Sequence, residues 1–167
     1  NSISENNVKI DDNDILKKND QNIESTVDNI SYSSFDKNGN QFFIKAKKGE
    51  IDQKKFKNIK MTDVEAKIVF PNSETVYITS KFANYDKSNS ETFFYIDVES
   101  IFLKHLIQSQ ELKFSFKKRI ATASKDVEYI GEKSKLIADK ILINLDEKKA
   151  KVFMFDSSEK VKINYIN

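Results

Sequence analysis

Few side chains in this sequence could perform nucleophilic or acid–base chemistry. The chain has no Cys, and its one histidine, His105, lies in the apolar run Ser100–Ile107. Nucleophilic catalysis by Ser or Cys requires a base within hydrogen-bond reach, and that base is usually His. A histidine among apolar residues is more often a packed or rim residue than a catalytic one. We therefore predict no catalytic residue and no enzymatic activity.

Carboxylates occur in pairs, but their spacing does not favour a site. Asp63/Glu65 and Asp97/Glu99 each alternate with apolar residues, which is typical of the solvated face of a strand. The segment Asp11–Asp14 resembles the start of a calcium loop but lacks its glycine and its distal glutamate. The three glycines are too far apart for a phosphate-binding loop. We predict no metal site and no cofactor.

The charge balance excludes another class of function. The 28 basic and 26 acidic residues are interspersed and give a net charge of +2. A nucleic-acid-binding surface requires clustered excess positive charge, so we predict no nucleic-acid partner.

The elements that must position any site are strands. The stretches Tyr77–Asp86 and Thr92–Glu99 are rich in β-branched and aromatic residues and flank a polar turn, which predicts a hairpin. A weaker copy follows as Ala138–Asp146 and Val152–Phe155, and such recurrence indicates a sheet built by repetition. Connections this short permit only antiparallel pairing. We predict an all-β protein of about ten strands.

Strict alternation assigns the faces of these strands. Thr62, Val64, Ala66, Ile68 and Phe70 are predicted to face inward together. The same pattern places Phe94, Ile96 and Val98 inside. The run Ser100–Ile107 departs from alternation and could be a strand, a bulge or a helical turn.

The chain divides into two parts by composition. Residues 1–27 are polar and dense in Asn and Asp, which predicts a flexible segment. Residues 28–167 contain the alternating runs and form one predicted domain. Because the sequence starts at Asn1 rather than Met, we expect a removed upstream segment, and a membrane anchor is a natural candidate.

Several motifs resemble those of the LptC family of lipopolysaccharide export proteins. Phe35–Ala46, with its Asn-Gly turn, is similar to the hairpin that opens the family's domain. Thr75–Asp86 resembles a segment repeated in LptC and its relative LptA, and Ile120–Asp126 and Leu136–Asp139 resemble further copies. The resemblance covers roughly residues 28 to 165.

The resemblance implies a twisted open antiparallel β-jelly roll, built of repeated strand-turn-strand units, whose splayed layers leave an apolar groove. Lipid A acyl chains would occupy that groove at about 0.8 kcal/mol per buried methylene. The inward residues expected to contact them are Ile44, Ala46, Val64, Ala66, Ile68, Ile78, Phe94, Ile96, Val98, Phe114 and Phe116. Each of these positions could equally be ordinary core. The basic cluster Lys117–Arg119 also has two interpretations: it could meet lipid phosphates at the mouth of this groove, or it could be a solvated turn.

The resemblance also implies partners. Unpaired edge strands of an open jelly roll can accept a strand from another domain. The expected edge residues are Ile30, Tyr32, Val161, Ile163 and Tyr165. The N-terminal side would face an inner-membrane ABC transporter, and the C-terminal edge strand an LptA-like bridge protein.

The function implied is non-enzymatic lipopolysaccharide transport by a periplasmic domain, held at the inner membrane by a single-pass anchor in the full-length protein. The alternatives are a soluble LptA-like periplasmic bridge and a purely structural β-repeat module that contacts only proteins. A carbohydrate-binding β-sandwich is a further alternative, and the absence of Trp counts against it.

Overall fold

The fold is known from a computed structural model that describes residues 24–52, 54, 57–155 and 162–165. These residues form ten strands and no helix, as predicted for an all-β protein. The strands are β1 Glu24–Phe35, β2 Gln41–Asp52, β3 Asn58–Val69, β4 Thr75–Asp86, β5 Glu91–Phe102, β6 His105–Ser115, β7 Ile120–Ile130, β8 Ser134–Asn144, β9 Lys149–Phe153 and β10 Lys162–Tyr165.

The strands form one continuous antiparallel sheet in chain order from β1 to β8. Both β9 and β10 pair with β8, β9 along its C-terminal part and β10 along its N-terminal part, so they share one edge. The other edge is β1. The predicted domain boundary at residue 28 falls inside β1, which begins at Glu24. Residues 1–23 of the predicted flexible segment lie outside the described residues.

Polar side chains build the turns, as expected for a chain with three glycines and one proline. In the β1–β2 turn, Asp36 Oδ1 accepts hydrogen bonds from the backbone N–H groups of Asn38 and Asn40, both at 2.9 Å. Gly39 takes the positive φ of 84° that this turn requires. The ambiguous run Ser100–Ile107 is the end of β5, a two-residue turn and the start of β6.

Strict alternation fails once in the middle of every strand from β1 to β8. The buried positions there are separated by three or four residues instead of two, as at Met61/Val64 in β3 and Phe94/Val98 in β5. Register shifts or left-handed residues such as Asp63 (φ 56°) mark the same level. Because such bulges bend a strand and increase its twist, this row, which we call the crease, folds the sheet over itself.

Small inward side chains accompany the crease. Ala46, Ala83 and Ala123 lie on it, and a Cβ added to Gly49 would come within 2.9 Å of Ile30 Cγ2. Two crease serines satisfy carbonyl groups that the bulges release: Ser80 Oγ donates to Phe82 O at 2.8 Å, and Ser109 Oγ to Glu111 O at 2.9 Å. The pattern of small residues therefore permits a sharp bend in the sheet.

The crease overturns the prediction that Ile96 faces inward. Ile96 and Asp97 both adopt positive φ, 63° and 53°, and the extra residue turns Ile96 to the outer face. Its side chain is 42% exposed, whereas Phe94 and Val98 on either side are buried. Thr62 is likewise only half-buried, because Met61 takes the inward position beside the Asp63 bulge.

Candidate functional site

The folded sheet encloses an apolar interior whose one end is packed. Phe42 of β2 meets Phe114 of β6 and Phe116 of the β6–β7 turn, with ring centroids 5.1 and 5.8 Å apart. The rings of Tyr32 and Tyr85 lie beside them, with centroids 5.1 Å apart and a tilt of 35°. These rings belong to elements that are not neighbours in the sheet, so they join its two layers and close this end.

The other end of the interior is an open cleft of about 400 Å³. One wall of the cleft is formed by the β3–β4 turn and by residues near the ends of β4 to β8. The β8–β9 hairpin (residues 140–153) lies over this wall. The lining is predominantly apolar and includes Phe70, Phe102, Ile107, Leu136, Ile143 and Val152. Most of these side chains are only partly buried, which leaves apolar surface available to a ligand.

The charged side chains that line the cleft are exposed. Lys148 in the β8–β9 turn donates a hydrogen bond to Glu74 Oε2 at 3.1 Å, and Lys149 lies beside it. The bond from Lys148, followed by one from Asn72, holds the pKa of Glu74 below its ordinary value. His105 Nδ1 and the Tyr129 hydroxyl lie 2.5 Å apart, with their rings stacked. An apolar slot with cations at its mouth suits an amphiphile with an anionic head.

The predicted groove residues lie together in the interior but do not line this cleft. All of them except Ile96 are buried to 6% exposure or less, in the layers around the crease and the aromatic cluster. Their expected contact with acyl chains stays a prediction. The cleft instead uses inward residues nearer the strand ends.

Sequence reasoning missed most of the cleft lining, although it placed Phe70 on an inward face. The available signal was the broken alternation of Ser100–Ile107, which contains Phe102, His105 and Ile107 of the cleft. A second signal was the terminal copy of the repeat, which supplies Ile143, Leu145 and Val152. Neither pattern shows which inward side chains lack a facing layer, because that depends on how the sheet folds over.

The predicted edges coincide with the two ends of the sheet. Ile30 and Tyr32 lie in β1, and their side chains are buried. A partner at this edge would therefore contact the β1 backbone and not these two side chains. Ile163 and Tyr165 lie in β10, and Val161 is outside the described residues. Recognition of partners at these edges remains a prediction.

The basic cluster Lys117–Arg119 forms the β6–β7 turn. Lys117 and Lys118 are exposed, whereas the Arg119 side chain lies 2.5 Å from Asp146 Oδ1 and 3.7 Å from Asp36 Oδ2. The hydrogen bond to Asp146 raises the pKa of Arg119. Arg119 therefore ties three turns together, while its two lysine neighbours face solvent.

The described residues contain neither a metal-binding cluster nor a membrane-spanning helix. Their His, Asp and Glu side chains form no group of three or more that could hold a metal ion. The described part of the chain contains no helical segment that could cross a lipid bilayer.

Comparison with known proteins adds two findings. A family model described as "Lipopolysaccharide-assembly, LptC-related" matches residues 2–164. The crystal structure of LptH from Pseudomonas aeruginosa, the LptA homologous periplasmic component of the lipopolysaccharide transport device, is similar in fold with a TM-score of 0.56. The two are 12% identical over 75% of this chain and 94% of LptH.

No curated protein matches the chain. The predicted jelly roll and family are thus confirmed, and the chain belongs to the LptC-related family of lipopolysaccharide-assembly proteins.

Proposed function

We propose that this protein is a non-enzymatic carrier that holds the acyl chains of lipopolysaccharide in its open cleft during transport across the periplasm. The observation that carries the proposal is the apolar cleft of about 400 Å³ at one end of the jelly roll, in a chain of this family. Its partly buried lining provides apolar surface without displacing the packed core.

The chemistry of the cleft matches the two parts of such a lipid. Each methylene transferred from water to the apolar lining contributes about 0.8 kcal/mol, so several methylenes give a useful affinity. Lys148 and Lys149 line the cleft, and we assign the phosphate of the head group to them. Ammonium groups recognise phosphate as point charges and tolerate variation in its position, which suits a transient cargo.

The two sheet edges offer two places where partner domains could dock, and the family resemblance suggests which partner belongs to which edge. Edge strands carry unpaired N–H and C=O groups that can extend the sheet into a neighbouring domain. We assign the β1 side to an inner-membrane ABC transporter and the β9–β10 edge to an LptA-like bridge protein. In this proposal an upstream single-pass anchor holds the domain at the inner membrane, with the jelly roll in the periplasm.

Site-specific photocrosslinking tests the cleft. A benzoylphenylalanine placed at Ile143, in the cleft, should form an adduct with lipopolysaccharide in cells. The same group at Ile101, which is 42% exposed on the outer face, should form none. A third probe at Phe94 tests the buried residues predicted from the sequence.

An adduct at Ile143 alone assigns the lipid to the cleft, and an adduct at Phe94 as well shows that the packed interior also opens. Absence of any adduct at Ile143 or Phe94, with the fold verified by circular dichroism, would overturn the carrier function. Crosslinks to proteins alone would instead favour the structural module.

A further inference from the structure

The ion pair between Glu74 and Lys148 lies at the edge of the cleft: Lys148 lines it, and Glu74 stands between the lining residues Phe70 and Val76 in the chain. Glu74 lies in the β3–β4 turn and Lys148 in the β8–β9 turn, 74 positions later in the chain. These hairpins are not neighbours in the sheet, so no backbone ladder joins them. Their contact, Lys148 Nζ to Glu74 Oε2 at 3.1 Å, therefore links the cover of the cleft to the opposite rim.

The cover is held firmly along one side only. β8 pairs with β7 from Ile120↔Asn144 to Ser124↔Lys140, and the Arg119–Asp146 contact fixes the adjoining turn. The Leu145 N–H also donates to Arg119 O at 3.0 Å. On the other side, β9 pairs among the described residues with β8 alone, and each of its side chains is exposed. The hairpin is thus hinged beside β7 and free toward the mouth.

The Glu74–Lys148 ion pair is weak enough for another anion to replace one partner. The two side chains are 58% and 32% exposed, and an ion pair with this exposure changes an equilibrium constant by a factor of about two to five. An incoming anion can take the place of the carboxylate, because the ammonium group then keeps a partner of opposite charge. A neutral molecule offers no such replacement.

We propose that the β8–β9 hairpin is a movable jaw over the cleft and that Glu74–Lys148 is its latch, which an anionic head group opens by taking Lys148 from Glu74. This inference rests on the proposed function, since it names how the same cleft admits its ligand. The cleft therefore selects anionic amphiphiles. When one binds, its head group pairs with Lys148, and the Glu74 carboxylate turns to solvent.

Two dyes with the same anilinonaphthalene skeleton separate the latch from the cleft. N-phenyl-1-naphthylamine is neutral, and 8-anilinonaphthalene-1-sulfonate adds one negative charge. Stopped-flow fluorescence gives the association and dissociation rates of each dye with the wild-type chain, Glu74→Gln and Lys148→Met. Lys151→Met is the matched control, because it removes one charge from the same hairpin outside the cleft lining.

The latch predicts a specific pattern of rates and affinities. The neutral dye should bind and dissociate about two- to five-fold faster in both Glu74→Gln and Lys148→Met than in the wild type. The anionic dye should bind more tightly to Glu74→Gln and more weakly to Lys148→Met. Lys151→Met should match the wild type. The exchanged pair Glu74→Lys/Lys148→Glu should restore the slower rates of the neutral dye.

The outcomes distinguish the two proposals. If both dyes bind the wild type and their rates are unchanged in Glu74→Gln and Lys148→Met, the latch is overturned and the cleft stands. If neither dye binds, or if the cleft-filling variant Ile143→Trp binds both as the wild type does, the cleft itself is not the lipid site and the proposed function fails.

Discussion

The hydroxyl oxygens of Ser34 and Ser90 lie 2.7 Å apart in the buried interior, although 56 positions separate the two residues in the chain. This bond joins the end of β1 to the β4–β5 turn, and the Tyr85 hydroxyl lies 3.4 Å from Ser90 on the same side. It is the polar counterpart of the aromatic contacts that hold the two layers together.

Removing one of these hydroxyls should destabilise the fold. In Ser90→Ala, the Ser34 and Tyr85 hydroxyls lose a buried partner, and we expect the free energy of unfolding to fall by about 1–3 kcal/mol. Urea denaturation followed by circular dichroism measures it. Ser88→Ala, in the exposed part of the same turn, should cost less. Equal losses in both variants would show that the bond between layers contributes nothing.

The neighbouring residues Phe42 and Phe43 test which face of β2 carries the core. Phe42 is fully buried against Phe114 and Phe116, so Phe42→Ala should lower the free energy of unfolding by about 3–5 kcal/mol. Phe43 lies on the outer face, where Lys67 Nζ is 5.0 Å from the centroid of the Phe43 ring. Phe43→Ala should therefore lower the free energy of unfolding by only about 1 kcal/mol. Urea denaturation measures both losses. A larger loss in Phe43→Ala than in Phe42→Ala would show that the two faces are wrongly assigned.

The bulge in β5 predicts a stabilising substitution. Ile96 is β-branched, exposed and held at a φ of 63°, a conformation that Asn tolerates far better. Ile96→Asn should therefore raise the free energy of unfolding, by about 1 kcal/mol. Val98→Asn, at the buried position beside it, should strongly destabilise the protein. A destabilised Ile96→Asn variant, measured by thermal unfolding, would contradict the assigned backbone conformation.

Alkaline pH should act through Tyr32. Burial, and then the charge of Tyr85, raise the pKa of Tyr32 from 10.0 to about 12. The folded state therefore holds this proton more tightly than the unfolded state does, so stability is unaffected below pH 10 and falls as the pH rises toward 12. Urea midpoints in that range should fall less in Tyr32→Phe than in the wild type. Tyr77→Phe, at a residue 55% exposed, should behave as the wild type.

Acidic pH should open the latch through Glu74. Its folded-state pKa is lowered, mainly by the hydrogen bond from Lys148, so the ion pair persists above the ordinary glutamate pKa and is lost as the pH falls through the lowered value. Over that range, the rates of the neutral dye in the wild type should rise to those of Glu74→Gln. The variant itself should show no such change, and parallel pH profiles in the two proteins would exclude Glu74 as the titrating group.

The sequence predicted the fold well because its information is local. Period-two runs such as Phe42–Ala46, and turn signals such as Asn38-Gly39, specify strands and hairpins that pair with their neighbours. The family resemblance then supplied the jelly-roll arrangement, and the family match agrees with it.

The candidate site was beyond such patterns. At the crease, one or two extra residues separate consecutive inward-facing positions of a strand. Strict alternation therefore assigns Ile96 to the wrong face. The cleft depends on where one layer fails to cover the other, which is a property of residues far apart in the chain. Glu74 and Lys148 meet only because of that folding, and neither position is distinctive in the sequence.

Pairing in strict chain order gives the protein a distinctive route to its native state. Each hairpin can form beside the one before it, so most ladder contacts close short loops, and folding can advance stepwise as in low-contact-order proteins. The contacts of Phe42 with Phe114 come late, because β6 must exist first. Until then β1 to β5 have an uncovered apolar face, which is the kind of surface through which partly folded chains aggregate.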